Sequence, residues 1–168
     1  MFDGARLQRS WRADLAADSA LLAAETWTLG RTAMGESVRS GGLIDAWEIY
    51  REGQLLRADR FRYDSDLDGD LQKWIAQPAV LDGNITMMTM VVVCPDVDAV
   101  LSTVRDALEL DSVTAGASKI GPLMLLRAVA ANPVSLRGAL IRVLDHLQSV
   151  PGAVPALDGF VLPRVFDC

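Results

Sequence analysis

Ile85-Thr86-Met87-Met88-Thr89-Met90-Val91-Val92-Val93-Cys94 carries no charged residue and is stopped by Pro95; the fold turns on how that stretch is read. Its β-branched residues and methionines favour a strand, the most buried-looking one in the chain. Immediately afterwards the apolar period changes. Asp96 caps a helix running to Leu108, with Val97, Val100, Leu101, Val104 and Leu108 on one face. A β-rich part therefore meets a strand-and-helix part at this point.

Moving towards the C-terminus, Val113–Ala117 and Leu123–Ala130 read as strands around Gly116 and Gly121. Asn132-Pro133 supplies a cap and a first-turn proline for a second helix, about 133–148, with Leu136, Leu140, Val143, Leu144 and Leu147 inward. Pro151, Gly152 and Pro155 end it and leave a coil-like tail.

Towards the N-terminus the period is that of strands. Leu7, Trp11 and Ala13 alternate with polar residues, and Arg9 is the one break. In Ser19–Leu29, Leu21, Ala23, Trp27 and Leu29 share a face with an odd Glu25. Leu43–Tyr50 and Gln54–Tyr63 flank Arg51-Glu52-Gly53, a glycine-bearing hairpin connection. Asp64, Asp66, Asp68, Gly69 and Asp70 predict a turn or loop. The expected fold is mainly β (α+β): an antiparallel β-rich scaffold with two helices, about 96–108 and 133–148, in a single domain over 1–168.

The bulk numbers narrow the class of function. A chain of 168 residues buries about 70% of its unfolded surface, enough for a core without disulfides. The net charge is −6, with no cluster of basic residues, so neither nucleic acid nor an anionic membrane is an expected partner. Cys94 and Cys168 lie far apart and form neither a disulfide framework nor a metal knuckle, which points to a reducing cytoplasm. Met1-Phe2-Asp3-Gly4 lacks the basic start and apolar run of a signal peptide, and Arg127 interrupts the longest apolar stretch.

Catalytic patterns fail one by one. The single histidine, His146, sits mid-helix beside Asp145, pointing to solvent, and no G-x-S-x-G accompanies it. The aspartate run mimics the start of a calcium loop, but Ile75 stands where the bidentate glutamate belongs. Met87 and Met88 point to opposite faces of a strand, so they pack rather than bind metal. Gly116 to Gly121 has the outer spacing of a phosphate loop, but Pro122 and Leu123 replace its Lys and Ser/Thr. By elimination the chain reads as a binding or scaffolding protein and not an enzyme. The competing reading is a small β-rich enzyme or ligand-binding domain, which requires a polar cluster around Glu25, Glu48 or Asp59.

The stretch Thr28–Glu36 reads TLGRTAMGE, with Gly30 and Gly35 closing a turn around Arg31 and Met34. Together with Phe2-Asp3-Gly4-Ala5-Arg6-Leu7 upstream, and the hairpin with Arg51, Gly53 and Arg60 downstream, it resembles the UreD/UreH family of urease accessory proteins. The likeness is specific from Phe2 to about Tyr63. Weaker echoes follow in Ala115–Ser118 leading into Leu123–Arg127, and in Pro163-Arg164-Val165-Phe166, where Phe166 departs from the usual Trp.

That resemblance implies a β-rich scaffold with two helices. It also implies a non-catalytic role in metallocentre assembly: assisting nickel insertion into apo-urease, together with UreF and the GTPase UreG. Nickel would be cargo in transit, not a tightly bound cofactor. Gly30 and Gly35 would set the signature's turn, with Arg31, Met34 and Glu36 as candidate partner-facing residues. Glu36 is the candidate lining residue for a cation in transit, the alternative being a structural Arg31–Glu36 ion pair. A family member carries a substantial β-rich portion before the residue matched by Phe2. The chain is therefore expected to be the C-terminal portion of such a fold, through truncation or a misassigned start. Open strand edges would then favour self-association, and a truncated fragment without function is a further alternative.

Overall fold

The computed structural model describes residues 3–30, 38–108 and 113–153. Its strands are β1 (Arg6–Leu15), β2 (Leu21–Thr28), β3 (Gly42–Arg51), β4 (Gln54–Asp64), β5 (Thr86–Val93), β6 (Thr114–Ile120) and β7 (Leu123–Ala130). The helices are α1 (Ser65–Asp68), α2 (Leu71–Ile75), α3 (Val97–Ala107) and α4 (Pro133–Leu147). One sheet has the order β1-β3-β4 and the other β2-β5-β7-β6.

The two sheets face each other, and α3 and α4 cover the outer face of the second. Met88, Met90 and Val92 on β5, with Met124, Leu126 and Ala128 on β7, pack on Val100, Val104, Leu136 and Val143 of the helices. The alternate residues Val91, Val93, Leu123 and Leu125 meet Trp47 and Ile49 of the first sheet. β5 is thus buried on both faces, which is the physical reason its sequence lacks polar alternation. Pairing is antiparallel throughout except for β1 with β3, which run parallel. A parallel pair needs a crossover, and here the chain makes it through β2 in the facing sheet.

The expected hairpin is present. Arg51 pairs with Gln54 across a two-residue turn in which Glu52 (φ 48°) and Gly53 (φ 77°) are both left-handed, as a turn matched to strand twist requires. The expected loop at Asp64–Asp70 is corrected by the structure: it holds the one-turn helix α1 and leads directly into α2. Asp64 caps α1 by accepting from Asp66 N at 3.1 Å, and Asp70 caps α2 by accepting from Lys73 N at 3.2 Å. Two of the aspartates that looked like loop formers, Asp64 and Asp70, are helix caps, and Asp66 and Asp68 lie within α1. The two expected long helices are joined by these two short ones.

Candidate functional site

Three strands each place a charged residue in the middle of a largely apolar face, and the structure brings the three together. Arg9 of β1 sits beside Asp45 of β3 in the parallel register. Glu25 of β2 approaches them from the facing sheet. The Arg9 guanidinium donates to Asp45 Oδ1 from Nε at 3.0 Å and from Nη2 at 2.9 Å, and it also pairs with Glu25. The Trp47 indole donates to Glu25 Oε2 at 2.9 Å and to Asp45 Oδ2 at 3.0 Å. The carboxylate side chains are only 10% (Glu25) and 9% (Asp45) exposed, against 43% for Arg9. Arg9 also lies 5.0 Å from the centroid of Trp27, and Trp11 packs on Trp47 with centroids 5.1 Å apart.

This cluster closes one side of the space between the sheets. Beyond it opens a cleft of about 450 Å³ lined by Trp27, Asp45, Trp47, Asp59, Phe61 and Arg127. Asp59 of β4 pairs across the sheets with Arg127 of β7 and lies 3.4 Å from Arg57. Burial pushes the Asp59 carboxyl up, but the two arginines outweigh it and hold the group below the usual carboxylate range. The indole N–H of Trp27 is buried and has no hydrogen-bond partner among the described residues. The arrangement is an apolar slot whose acids are matched by arginines. It contains no base beside a nucleophile, and no three metal-ligating side chains converge among the described residues.

The sequence-derived candidates fare differently. Glu25 and Asp59 face the inter-sheet space, but at separate ion pairs. Glu48 lies on the opposite, exposed face of β3, where it accepts from the Tyr50 hydroxyl at 3.2 Å. A polar cluster is thus gathered around Glu25, with Arg9, Asp45 and the Trp47 indole, while Asp59 has its own arginine pair and Glu48 joins neither. His146 is exposed on α4, with Nδ1 2.8 Å from the Arg142 carbonyl. Met88 belongs to the core under the helices while Met87 packs against the cluster of Leu43 and Tyr63, so the pair splits as strand geometry demands. Gly121, at φ 55°, turns β6 into β7. Cys94 is buried, and that burial raises its thiol above the ordinary range.

Of the signature, Gly30 is described: it is buried at the end of β2 with φ 101°, a conformation side chains resist. Arg31, Met34, Gly35 and Glu36 lie outside the described residues. The flanks of that segment are firmly held. Leu29 N donates to the Ile85 carbonyl at 2.8 Å, and the Gln72 amide donates to the Val38 carbonyl at 2.8 Å. Asp3 accepts from the Arg39 and Ser40 amides, both at 2.8 Å, and these bonds hold its carboxyl below the usual range. Leu29 and Val38 belong to one core cluster with Leu43, Tyr63, Leu71 and Ile75. Asp3 of the opening thus ties to Arg39 and Ser40, just beyond the segment that follows Gly30.

The family profile for the UreD urease accessory protein matches residues 1–159. The chain belongs to the UreD family. It is 36% identical over 172 residues to a urease accessory protein UreD of Methylobacterium sp. (strain 4-46), a match covering 99% of this chain and 56% of that relative. A UreD of Sinorhizobium medicae is 39% identical over 157 residues, covering 90% of this chain and 55% of its own length. A UreD of Xanthobacter autotrophicus is 37% identical, with 99% and 53% covered. This UreD-family chain thus spans about half the length of the curated relatives it matches. Among its described residues no helix is long and apolar enough to cross a membrane.

Proposed function

We propose that the chain is a urease-maturation scaffold: a non-catalytic platform, folded as one unit, that assists nickel insertion into apo-urease in the cytoplasm. The observation that carries this reading is the family match over nearly the whole chain. UreF and UreG are the proposed partners, and Gly30, Arg31, Met34, Gly35 and Glu36 the proposed partner-facing segment. The burial of Leu29 and Val38 in one core cluster, on either side of that segment, supports this reading. Nickel passes as cargo, with Glu36 as the proposed weak ligand on its route.

The test is co-purification. Tagged chain co-expressed with apo-urease, UreF and UreG retains them, and Glu36→Gln preserves that retention while lowering nickel delivery. Failure to retain any of them, with the chain folded, overturns the proposal. The inter-sheet cleft supports a second reading, a small-ligand domain, because its buried Trp27 N–H has no acceptor among the described residues. Thermal stabilisation by a small molecule, lost in Trp27→Phe, would favour that reading over the first.

A further inference from the structure

β1 is the end strand of its sheet, and among the described residues nothing pairs with its outer edge. Its register with β3 runs unbroken over 10 residues. At the two ends, the Ala5 carbonyl accepts from Gly42 N at 2.9 Å and the Leu15 carbonyl accepts from Glu52 N at 3.0 Å. The odd-numbered residues therefore bond towards β3. The N–H and C=O of one residue point to the same side of a strand, so those of Gln8, Ser10, Arg12 and Asp14 point outward. Bulges and prolines commonly protect such an edge, and β1 has neither. Its only guards are the charges of Arg6, Arg9, Arg12 and Asp14.

We propose that a second copy of this chain covers this edge, with β1 pairing antiparallel to its counterpart about a two-fold axis through Ser10. The inward and outward faces must continue across the join, so residues of like parity must oppose one another. An axis at Arg9 sets Arg9 against itself and Arg6 against Arg12, which like charges forbid. An axis at Trp11 leaves Arg6 without an opposite residue. An axis at Ser10 sets Arg6 against Asp14, Gln8 against Arg12 and Leu7 against Ala13, a charge-complementary register. The even-numbered pairs are then the hydrogen-bonded ones, matching the groups that β3 leaves free.

Arg6 already bonds Asp64 at 3.3 Å and Asp66 at 2.5 Å, and Arg12 bonds Asp14 at 2.7 Å. The copy's charges join these exposed pairs and do not strand a lone ion. Leu7, 43% exposed, and half-buried Trp11 gain cover. The two three-stranded sheets become one sheet of six in an isologous dimer.

Analytical ultracentrifugation of the chain over a concentration series should show a monomer–dimer equilibrium. Ser10→Pro removes an outward N–H and leaves the bonds to β3 intact. It should weaken the dimer by roughly tenfold or more with an unchanged circular dichroism spectrum. Cysteine mapping covers the case in which that variant fails to fold. Opposed residues in a hydrogen-bonded pair have Cα atoms about 5.5 Å apart, within the roughly 4.4–6.8 Å a disulfide spans. In a Cys168→Ser background, Ser10→Cys should therefore oxidise to a covalent dimer and Gln8→Cys should not. A monomer at every concentration, a dimer indifferent to Ser10→Pro, or equal cross-linking by both cysteines overturns the proposal. So does preferential capture of the chain by the unmatched portion of the Methylobacterium relative, added in trans.

Discussion

Replacing Arg9 by methionine keeps most of the stem that covers Trp27 but removes the guanidinium that bridges Glu25 and Asp45. Those carboxylates, 10% and 9% exposed, would then share a single indole donor from Trp47. Stripping the partner from a fully buried pair costs about 3–5 kcal/mol. Arg9 is 43% exposed, so solvent screening reduces its share to roughly 1–2 kcal/mol. Its contact with the Trp27 ring adds about 0.5–1 kcal/mol. A loss of about 2 kcal/mol is therefore expected, equivalent to roughly 4–8 °C in Tm for a chain of this size.

Urea titration followed by tryptophan fluorescence reads this as a lower midpoint at unchanged slope. The decisive comparison is a double-mutant cycle with Asp45→Asn. In the Arg9→Met background, neutralising Asp45 should cost much less than it does in the parent chain, because one acid already lacks its counter-ion. Strict additivity, or an Arg9→Met effect within about 0.5 kcal/mol, the scatter of ordinary surface changes, would refute the assignment of Arg9 as the inter-sheet tie.

Two further outcomes follow from perturbed groups. The Asp59 carboxyl is held below the usual range by Arg127 and Arg57 against the opposing effect of burial. Its folded value lies below the unfolded one, so its stabilisation is present above about pH 4 and is lost as pH falls through the folded value. Asp59→Asn should therefore cost stability at pH 7 and little at pH 2–3; an equal cost at both would contradict this. The buried Cys94 thiol, raised by desolvation, should stay protonated at neutral pH. In a Cys168→Ser chain it should react with a thiol reagent only at the rate of opening, and rapid reaction under native conditions would show the helix-covered core to be looser than described.

Strand and helix periods were legible because one rule governed each segment. The switch at Pro95–Asp96 marks the change from β5 to α3 in both sequence and structure, and Asn132-Pro133 marks the start of α4. The aspartate run misled because capping and turn formation favour the same short acidic residues; only the backbone separates them. The inter-sheet cluster was half legible. Arg9 broke one alternation and Glu25 another, and each was noted as an exception within its own strand. Asp45 interrupts Leu43–Trp47–Ile49 in the same way. What the sequence could not state is that three exceptions compensate one another, since that depends on β1 pairing parallel to β3 and β2 crossing to the facing sheet. The family signature was legible as a motif, while most of its residues, 31–36, lie outside the described part of the structure.

Nickel loading of urease tests the proposed scaffold role most directly. Cells carrying urease and the other accessory genes, but no UreD of their own, would be supplied with this chain, and nickel per purified urease active site measured by mass spectrometry. Occupancy clearly above the no-chain control, falling again with Glu36→Gln, is the expected result. Occupancy equal to the control, with the chain shown to be folded and abundant, would contradict a part in metallocentre assembly.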